Sequence, residues 1–402
     1  MMTPPPGRRP VPRRPVPRRL VPWLAAWATM LAVFLAGLKI AWLTGQADPW
    51  CWGAPMLVAM MALGAMLRGS ALWVGPGAAG MVLLFCGGAA ARWPDPVAAG
   101  GLVALALLAA AAGFGLRARR WAGGGLALAL SLLLLWGGPA RPVATAIDRP
   151  PLAVLTALPL FWAEGGAGLA GPVDAPIVTL LRSRFTVRPV DDPRALAASG
   201  TQRLLLAQPR ALSPAQMAAV DQWVRDGGRA LVLADPLLRW PSDLPLGDRR
   251  RAPPVSLLGP LLDHWGFQAA DRREEEMRWF APDGALLTLS GVQHFAGSEG
   301  PLARRRIGRG EVVVLGDADL LDDRLWLADP ARPRDPRAWS ADTPARVVQW
   351  LGAGLPGERR WMRQPADVRS ALRWALLFGT GWAILGAALF GRGRPDAHRN
   401  RA

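Results

Sequence analysis

Apolar positions divide the chain into two regimes. Six runs are almost continuously apolar: residues 20–43, 50–67, 71–91, 97–116, 121–136 and 371–390. A bilayer core takes about 20 mostly apolar residues in helical form, so each run predicts a transmembrane helix, the second and fifth being short for a span. Between the last two runs, from about residue 148 to 367, the pattern changes to short apolar stretches separated by polar ones. LAVLTAL at 152–158 predicts a buried strand. A helix over 175–183 leads to a strand at 185–190, and RLLLA at 203–207 reads as another buried strand. Ser213 then caps a helix with Pro214 in its first turn, Met217, Val220 and Val224 on one face, and Gly227-Gly228 as its stop. A strand over 229–234 ends in Asp235-Pro236. A helix over 255–265 stops at Gly266, after which strands are expected at 277–280, 285–289, 303–307 and 311–315, with a turn at 308–310. A last amphipathic helix covers 343–351. Strands alternating with helices, each strand a continuous apolar run, predict an α/β domain with a mostly parallel sheet covered on both faces.

Charge fixes the orientation expected for the spans. Of 402 residues, 51% are hydrophobic and 19% charged, and the formal charge is +17. Such a charge on one soluble face would suggest nucleic acid. Here most of it flanks the apolar runs instead: six arginines in the first 19 residues, then Arg68, then Arg117, Arg119 and Arg120, then a basic tail over 391–402. Basic flanks orient membrane helices toward the cytoplasm, so nucleic acid is not an expected partner and the lipid bilayer is. A cytoplasmic N-terminus and five crossings put Arg68 and the 117–120 cluster inside and the α/β domain outside. The sixth span then returns the basic tail to the cytoplasm. The organisation expected is a Pro/Arg-rich tail over 1–19, five spans over 20–139, an extracytoplasmic domain over 148–367, and a final span at 371–390. The first run is too long for a signal peptide and ends in no clear small-residue cleavage site. Lys39, near its end, reads as a side chain snorkelling to the interface. The PxxP spacing of residues 4–17 reads as a flexible charged tail.

Two cysteines, Cys51 and Cys86, lie in or beside apolar runs, which leaves the α/β domain without a disulfide, thiolate nucleophile or cysteine metal site. Asp235, Asp317 and Asp319 each follow an apolar strand at its carboxyl end, where open α/β sheets bind ligands. With Asp322 and Asp323 nearby they are the candidate ligand-binding residues, for a divalent cation or a cationic ligand. The alternative is capping of the turns that follow, since aspartate oxygens accept backbone N–H bonds. No spacing matches a known metal loop, and nothing calls for a cofactor. His264 reads as a helix-face residue, and His264 and His294 have no nucleophile beside them. Glu274–276 beside Arg272 and Arg273, and Arg304–306, read as solvated faces. Arg249–251 followed by Pro253-Pro254 reads as an exposed basic loop, or one that meets lipid head groups.

Three stretches resemble the extracytoplasmic domain of the GldG-like family, auxiliary components of uncharacterised ABC-type transport systems. LLLAQPRALSPAQMAAVDQWVRDGGRALVLADP at 204–236 has the apolar strand, proline turn, L-S-x-x-Q, W-V-x-x-G-G helix and second strand. IGRGEVVVLGDADLL at 307–321 is similar to G-x-G-x-V-V-V-x-G-D-x-D-F-L, and VVQWLG at 347–352 to the closing helix. The resemblance covers roughly 150–355. It implies a flavodoxin-like, class I glutamine amidotransferase-like domain, a non-enzymatic auxiliary role, and permease and ATPase subunits as partners in a bacterial inner membrane. LLDDRLW at 320–326 departs from the family, whose relatives tend to carry an asparagine there. Amidotransferase chemistry needs a cysteine on a sharp strand-to-helix turn, and the turn at Gln208-Pro209 has none. There is no ATP-binding signature. The alternative function is a metal-dependent periplasmic hydrolase using the aspartates.

Overall fold

A computed structural model describes residues 21–66, 70–164, 173–298, 300–355 and 359–391. The chain forms two compact units, one of residues 1–43, 47–139 and 362–402 and one of 44–46 and 140–361. The basic tails over 1–19 and 392–402 and Arg68, on which much of the orientation argument rests, lie outside the described residues.

The first unit is helical: α1 (Val21–Thr44), α2 (Gly53–Met66), α3 (Ser70–Ala89), α4 (Pro96–Arg117), α5 (Trp121–Gly137) and, beyond the second unit in the chain, α10 (Pro365–Gly391). Among the described residues, five stretches are long and apolar enough to cross a membrane: Trp23–Thr44, Pro49–Met66, Ala71–Ala89, Pro96–Arg117 and Pro365–Phe390. The second span takes in a 3₁₀ turn, Pro49–Trp52, before α2. At 17 residues α5 is shorter. At ~1.5 Å per residue it reaches about 25 Å, below the ~30 Å of a hydrocarbon core.

Because lipid offers helices no hydrophobic drive toward one another, close backbone approach at small residues holds such bundles together. A Cβ on Gly64 of α2 would lie 2.2 Å from the Ala110 carbonyl oxygen of α4, and one on Gly113 would lie 2.0 Å from the Met61 oxygen. Phe34, Trp52 and Phe85 fill the interior with ring centroids 5.6–6.2 Å apart, and Trp52 Nε1 donates to the Phe34 oxygen at 2.9 Å. Leu43, Val58, Met66, Leu133 and Trp136 are largely exposed on the bundle's outside. That inverts the rule for proteins in water and suits lipid contact.

The second unit is α/β. In chain order it contains β1 (Pro151–Thr156), α6 (Pro176–Leu181), β2 (Thr186–Pro189), β3 (Arg203–Ala207), α7 (Pro214–Arg225), β4 (Arg229–Leu233), α8 (Gly259–His264), β5 (Ala269–Phe280), β6 (Leu286–Phe295), β7 (Leu302–Ile307), β8 (Gly310–Leu315) and α9 (Thr343–Trp350). Six strands make one sheet in the order β2-β1-β3-β4-β8-β7; all neighbours are parallel except β7 on β8, and β5 and β6 form a separate antiparallel pair. The continuous apolar runs follow from burial on both faces. Val154, Leu205, Leu231 and Val313 enter one core with α6, α9 and β6, while Ala153, Leu204, Val232 and Val314 enter the other with α7 and α8.

α7 forms as its sequence requires. Ser213 Oγ accepts from Gln216 N, the Gln216 side chain bonds back to Ser213 N, Pro214 opens the helix, and Val220, Trp223 and Val224 are buried. Gly227 at φ +117 ends it. Two elements differ from expectation. α8 begins at Gly259 instead of 255, because Ser256 N donates to the Asp235 oxygen at 2.6 Å and holds the preceding residues as a strap. β5 runs from 269, through the charged stretch that reads as a solvated face, and pairs with β6 from Arg273 to Phe280 and again at Ala269, with an irregularity between.

Candidate functional site

The three aspartates singled out by their position after strands do converge. Asp235 follows β4, and Asp317 and Asp319 follow β8, the strand beside it. All three are buried, and one carboxylate oxygen from each lies within 4.8 Å of the others. Asp322 and Asp323 follow but do not join this cluster; Asp322 caps Arg324 N at 3.0 Å and pairs with the Arg324 guanidinium.

Glycines make the convergence possible. A Cβ on Gly316 would sit 2.0 Å from the Gln293 carbonyl oxygen, so only glycine lets β6 pass so close to the end of β8. That approach brings Ser290 N to Asp317 Oδ2 at 2.6 Å, while Asp317 Oδ1 accepts from Leu320 N at 3.0 Å. Asp235 Oδ1 accepts from Leu237 N at 2.8 Å, and its Oδ2 from Ala318 N at 3.0 Å. Asp319 Oδ2 accepts from Arg239 N at 2.7 Å. Five of the six oxygens are thus bound to backbone amides, and Asp319 Oδ1 is buried with no hydrogen-bond partner.

Burial dominates the electrostatics. Desolvation pushes the Asp235 carboxyl up to about 6, against the amides that bond it. Asp319 is pushed up to about 7 by desolvation, with the Asp235 and Asp322 charges adding to it. Asp317 is raised well above the ordinary carboxylate range by desolvation and by the charge of Asp235. Three carboxylates packed together in a low dielectric hold a proton between them more readily than three charges. Calcium takes 6–8 oxygen ligands, and this set has one uncommitted carboxylate oxygen, so it fits a metal poorly. What the trio does chemically is tie the ends of β4 and β8 to β6 and to the Arg239 backbone.

The sheet's topological switch lies elsewhere, between β1 and β3, where the chain steps first to one side of β1 and then to the other. The residue that occupies it is one the sequence marks only as part of a cysteine-free turn. Gln208 follows β3 with φ +42, buried and in the left-handed region. Its carboxamide is fully used: Oε1 accepts from Asp235 N at 3.0 Å, and Nε2 donates to the oxygens of Asp235 at 3.2 Å and Pro253 at 3.0 Å. The sharp turn that an amidotransferase nucleophile would need is present, and a structural amide stands in it. The one signal in the sequence was Pro209, which disfavours right-handed helical backbone in the residue before it.

Neither described histidine is among the residues that bond the aspartates or Gln208. His264 is half exposed on α8, 3.4 Å from Asp221, and His294 is buried on β6 with Nε2 3.5 Å from Glu274 Oε1.

No curated protein matches the chain. Among solved structures, the exo-beta-1,4-mannosidase Op5Man5 from Opitutaceae bacterium strain TAV5 is similar over 59% of this chain and 40% of its own, at 12% identity and a TM-score of 0.28. This chain therefore spans less than half of that protein's length, and at that score the likeness carries no argument about fold or function. Residues 149–273 match the model of an auxiliary family described as an ABC-type uncharacterized transport system. The match lies wholly in the α/β unit and contains the first of the three motifs; those at 307–321 and 347–352 fall beyond it. The resemblance read from the sequence is borne out over that stretch, and the chain combines a segment that matches this auxiliary family with helices apolar enough to cross a membrane.

Proposed function

We propose that this chain is a non-enzymatic, multi-pass auxiliary component of an ABC-type transport system, whose α/β unit recognises a partner or ligand outside the cytoplasm. The observation that carries the proposal is the family match on a unit joined in one chain to helices fit for a bilayer. The parallel order β2-β1-β3-β4-β8 is that of flavodoxin-like sheets, which supports the fold implied by the resemblance. The amide at the Gln208 turn argues against the hydrolytic chemistry of amidotransferases.

The side on which the unit lies depends on α5. With α5 as a span there are six crossings, both chain ends are cytoplasmic, and the α/β unit is extracytoplasmic. Without it the unit and the N-terminus share a side. Arg119 and Arg120 lie in the α4–α5 turn, and residues 121–137 contain no charge, which favours a sixth span despite its length. In a bacterium the bilayer is then the inner membrane. Extraction in mild detergent and identification of the chains that copurify tests the role: permease and ATPase subunits are expected, and their absence overturns it. Protease added to sealed, right-side-out cells stripped of any outer layer should cut between α5 and α10; protection there overturns the orientation.

A metal-dependent hydrolase remains the second reading, favoured by one observation, the unpartnered Asp319 Oδ1 beside two other carboxylates. The paired substitution Asp317→Asn with Asp319→Asn tests it: loss of bound metal with the fold intact supports the enzyme. An unchanged metal content or loss of fold supports the scaffold.

A further inference from the structure

The carboxyl edge of the sheet holds a second feature, on the β3–β4 side of the aspartates. A cavity of about 520 Å³ opens between the turn after β3, at Arg210, and the strap joining β4 to α8, at Arg249, Arg251, Leu246 and Leu257. That size lies within the ~300–1,000 Å³ typical of small-molecule sites. Its charge is one-sided. Asp248 is the acidic residue of the lining, and its carboxylate is held by Arg250, from Nε at 3.2 Å and Nη2 at 2.8 Å. Arg251 spends Nη1 on the Leu244 oxygen at 2.8 Å and, among the described residues, has no ion pair. Arg210 and Arg249 are exposed and, among the described residues, bond to nothing. Three arginines therefore line one concavity, and the lining holds no further carboxylate to balance them. Leu246 and Leu257, 88% and 42% exposed, give it an apolar wall, and Pro253 ties its floor to Gln208 Nε2 at 3.0 Å. The floor is thus fixed to the strained turn at the switch point, where sheets of this order bind ligands.

We propose that this cavity binds a phosphate ester carrying a short apolar group, with Arg210, Arg249 and Arg251 holding the anion and Leu246 and Leu257 covering the apolar part. Guanidinium donors are planar and forked, matching phosphate oxygens in pairs. A small phosphorylated metabolite and a lipid head group share this chemistry. The inference rests on the ligand-recognition half of the proposed function and on none of its transport partners, so a negative copurification leaves it standing.

The test uses the full chain in nanodiscs of neutral phosphatidylcholine. Butyl phosphate, which forms no micelles at titration concentrations, should bind saturably and at least several-fold more tightly than inorganic phosphate. The double variant R210Q/R249Q should lose about tenfold or more in affinity, the scale of one charged hydrogen bond. Both residues are exposed and without partners, so the fold should survive, as an unchanged melting profile would verify. Replacing part of the neutral lipid with phosphatidylglycerol should weaken butyl phosphate binding to the wild type at constant ionic strength if the ligand is a head group, and leave it unchanged if the ligand is free; either result supports the site. Equal affinity in wild type and variant, no saturable binding, or inorganic phosphate binding as tightly as its butyl ester overturns the proposal.

Discussion

Asp319→Asn distinguishes a proton-sharing knot from an ion site in one measurement. Asp319 Oδ2 accepts from Arg239 N, and Oδ1 has no partner. Asparagine keeps an oxygen for that amide and removes the negative charge that Asp319 adds to the Asp235–Asp317–Asp319 cluster. The native carboxyl is raised from 3.8 to about 7, so its protonated form is the one the fold favours. Its contribution to stability is fully present below about pH 4 and is lost as pH rises through about 7. A rise of that size corresponds to about 4 kcal/mol, and residual solvent screening roughly halves this to about 2. Between pH 5 and pH 8 about two-thirds of that loss is crossed, about 1.3 kcal/mol; in a domain of this size ~1 kcal/mol moves the melting temperature by about 2–4 °C, so the drop over that range should shrink by about 3–5 °C in the variant. Hydrogen exchange of the β4 and β8 amides in the full chain, corrected for intrinsic rates, reads the α/β unit separately from the helices. Equal pH slopes in the two proteins would refute the reasoning. So would a variant less stable than wild type at pH 8 with divalent cations present, which is the signature of a lost ligand.

Other consequences follow from single contacts. Ser213→Ala removes one half of the capping box and should cost about 1 kcal/mol in chemical denaturation, with Ser213→Gly costing less. Gln208→Ala strips three hydrogen bonds from a buried turn and should destabilise the unit by about 2–4 kcal/mol, visible as faster exchange at Asp235 and its neighbours. Gly64→Leu drives a side chain into the Ala110 backbone, so α2 and α4 should separate and the yield of monodisperse protein in detergent should collapse, whereas Gly123→Leu, at a site open around its Cβ position, should be tolerated.

Elements whose signal is local were legible from the sequence. α7 carries its own cap, first-turn proline and glycine stop, and β3, β4 and β8 are apolar throughout because both faces of the sheet are covered. β5 was only partly legible, because Glu274, Glu275 and Glu276 belong to a strand outside the main sheet, where Glu275 and Glu276 are exposed and Glu274 is half-buried beside His294. A covered strand would have excluded such residues; a solvated one gives no period that separates it from a loop. The start of α8 was hidden by a contact distant in sequence, Ser256 N to the Asp235 oxygen. The aspartates were legible as strand-end residues, and their convergence follows from strand order. Their satisfaction by the amides of Ser290 and Arg239 was not, since those amides arrive from segments tens of residues away.

The carboxyl edge therefore has two kinds of polar residue, and the difference bears on function. Gln208, Asp235 and Asp317 are buried and their side-chain groups are consumed by the backbone of neighbouring segments, as capping requires. Side chains committed in this way hold a surface in shape but have little left to offer a ligand, which is why the carboxylates, conspicuous in the sequence, make a better frame than a binding site. Arg210 and Arg249 stand on the rim of the same frame with their donors unspent. Leaving two long cations unpaired gains the fold nothing in packing, and repulsion between them costs it a little in water. A rigid, amide-tied floor beneath unpaired donors is the arrangement expected where the counter-charge arrives with a ligand, since the floor lowers the entropic cost of binding while the arginines supply the attraction.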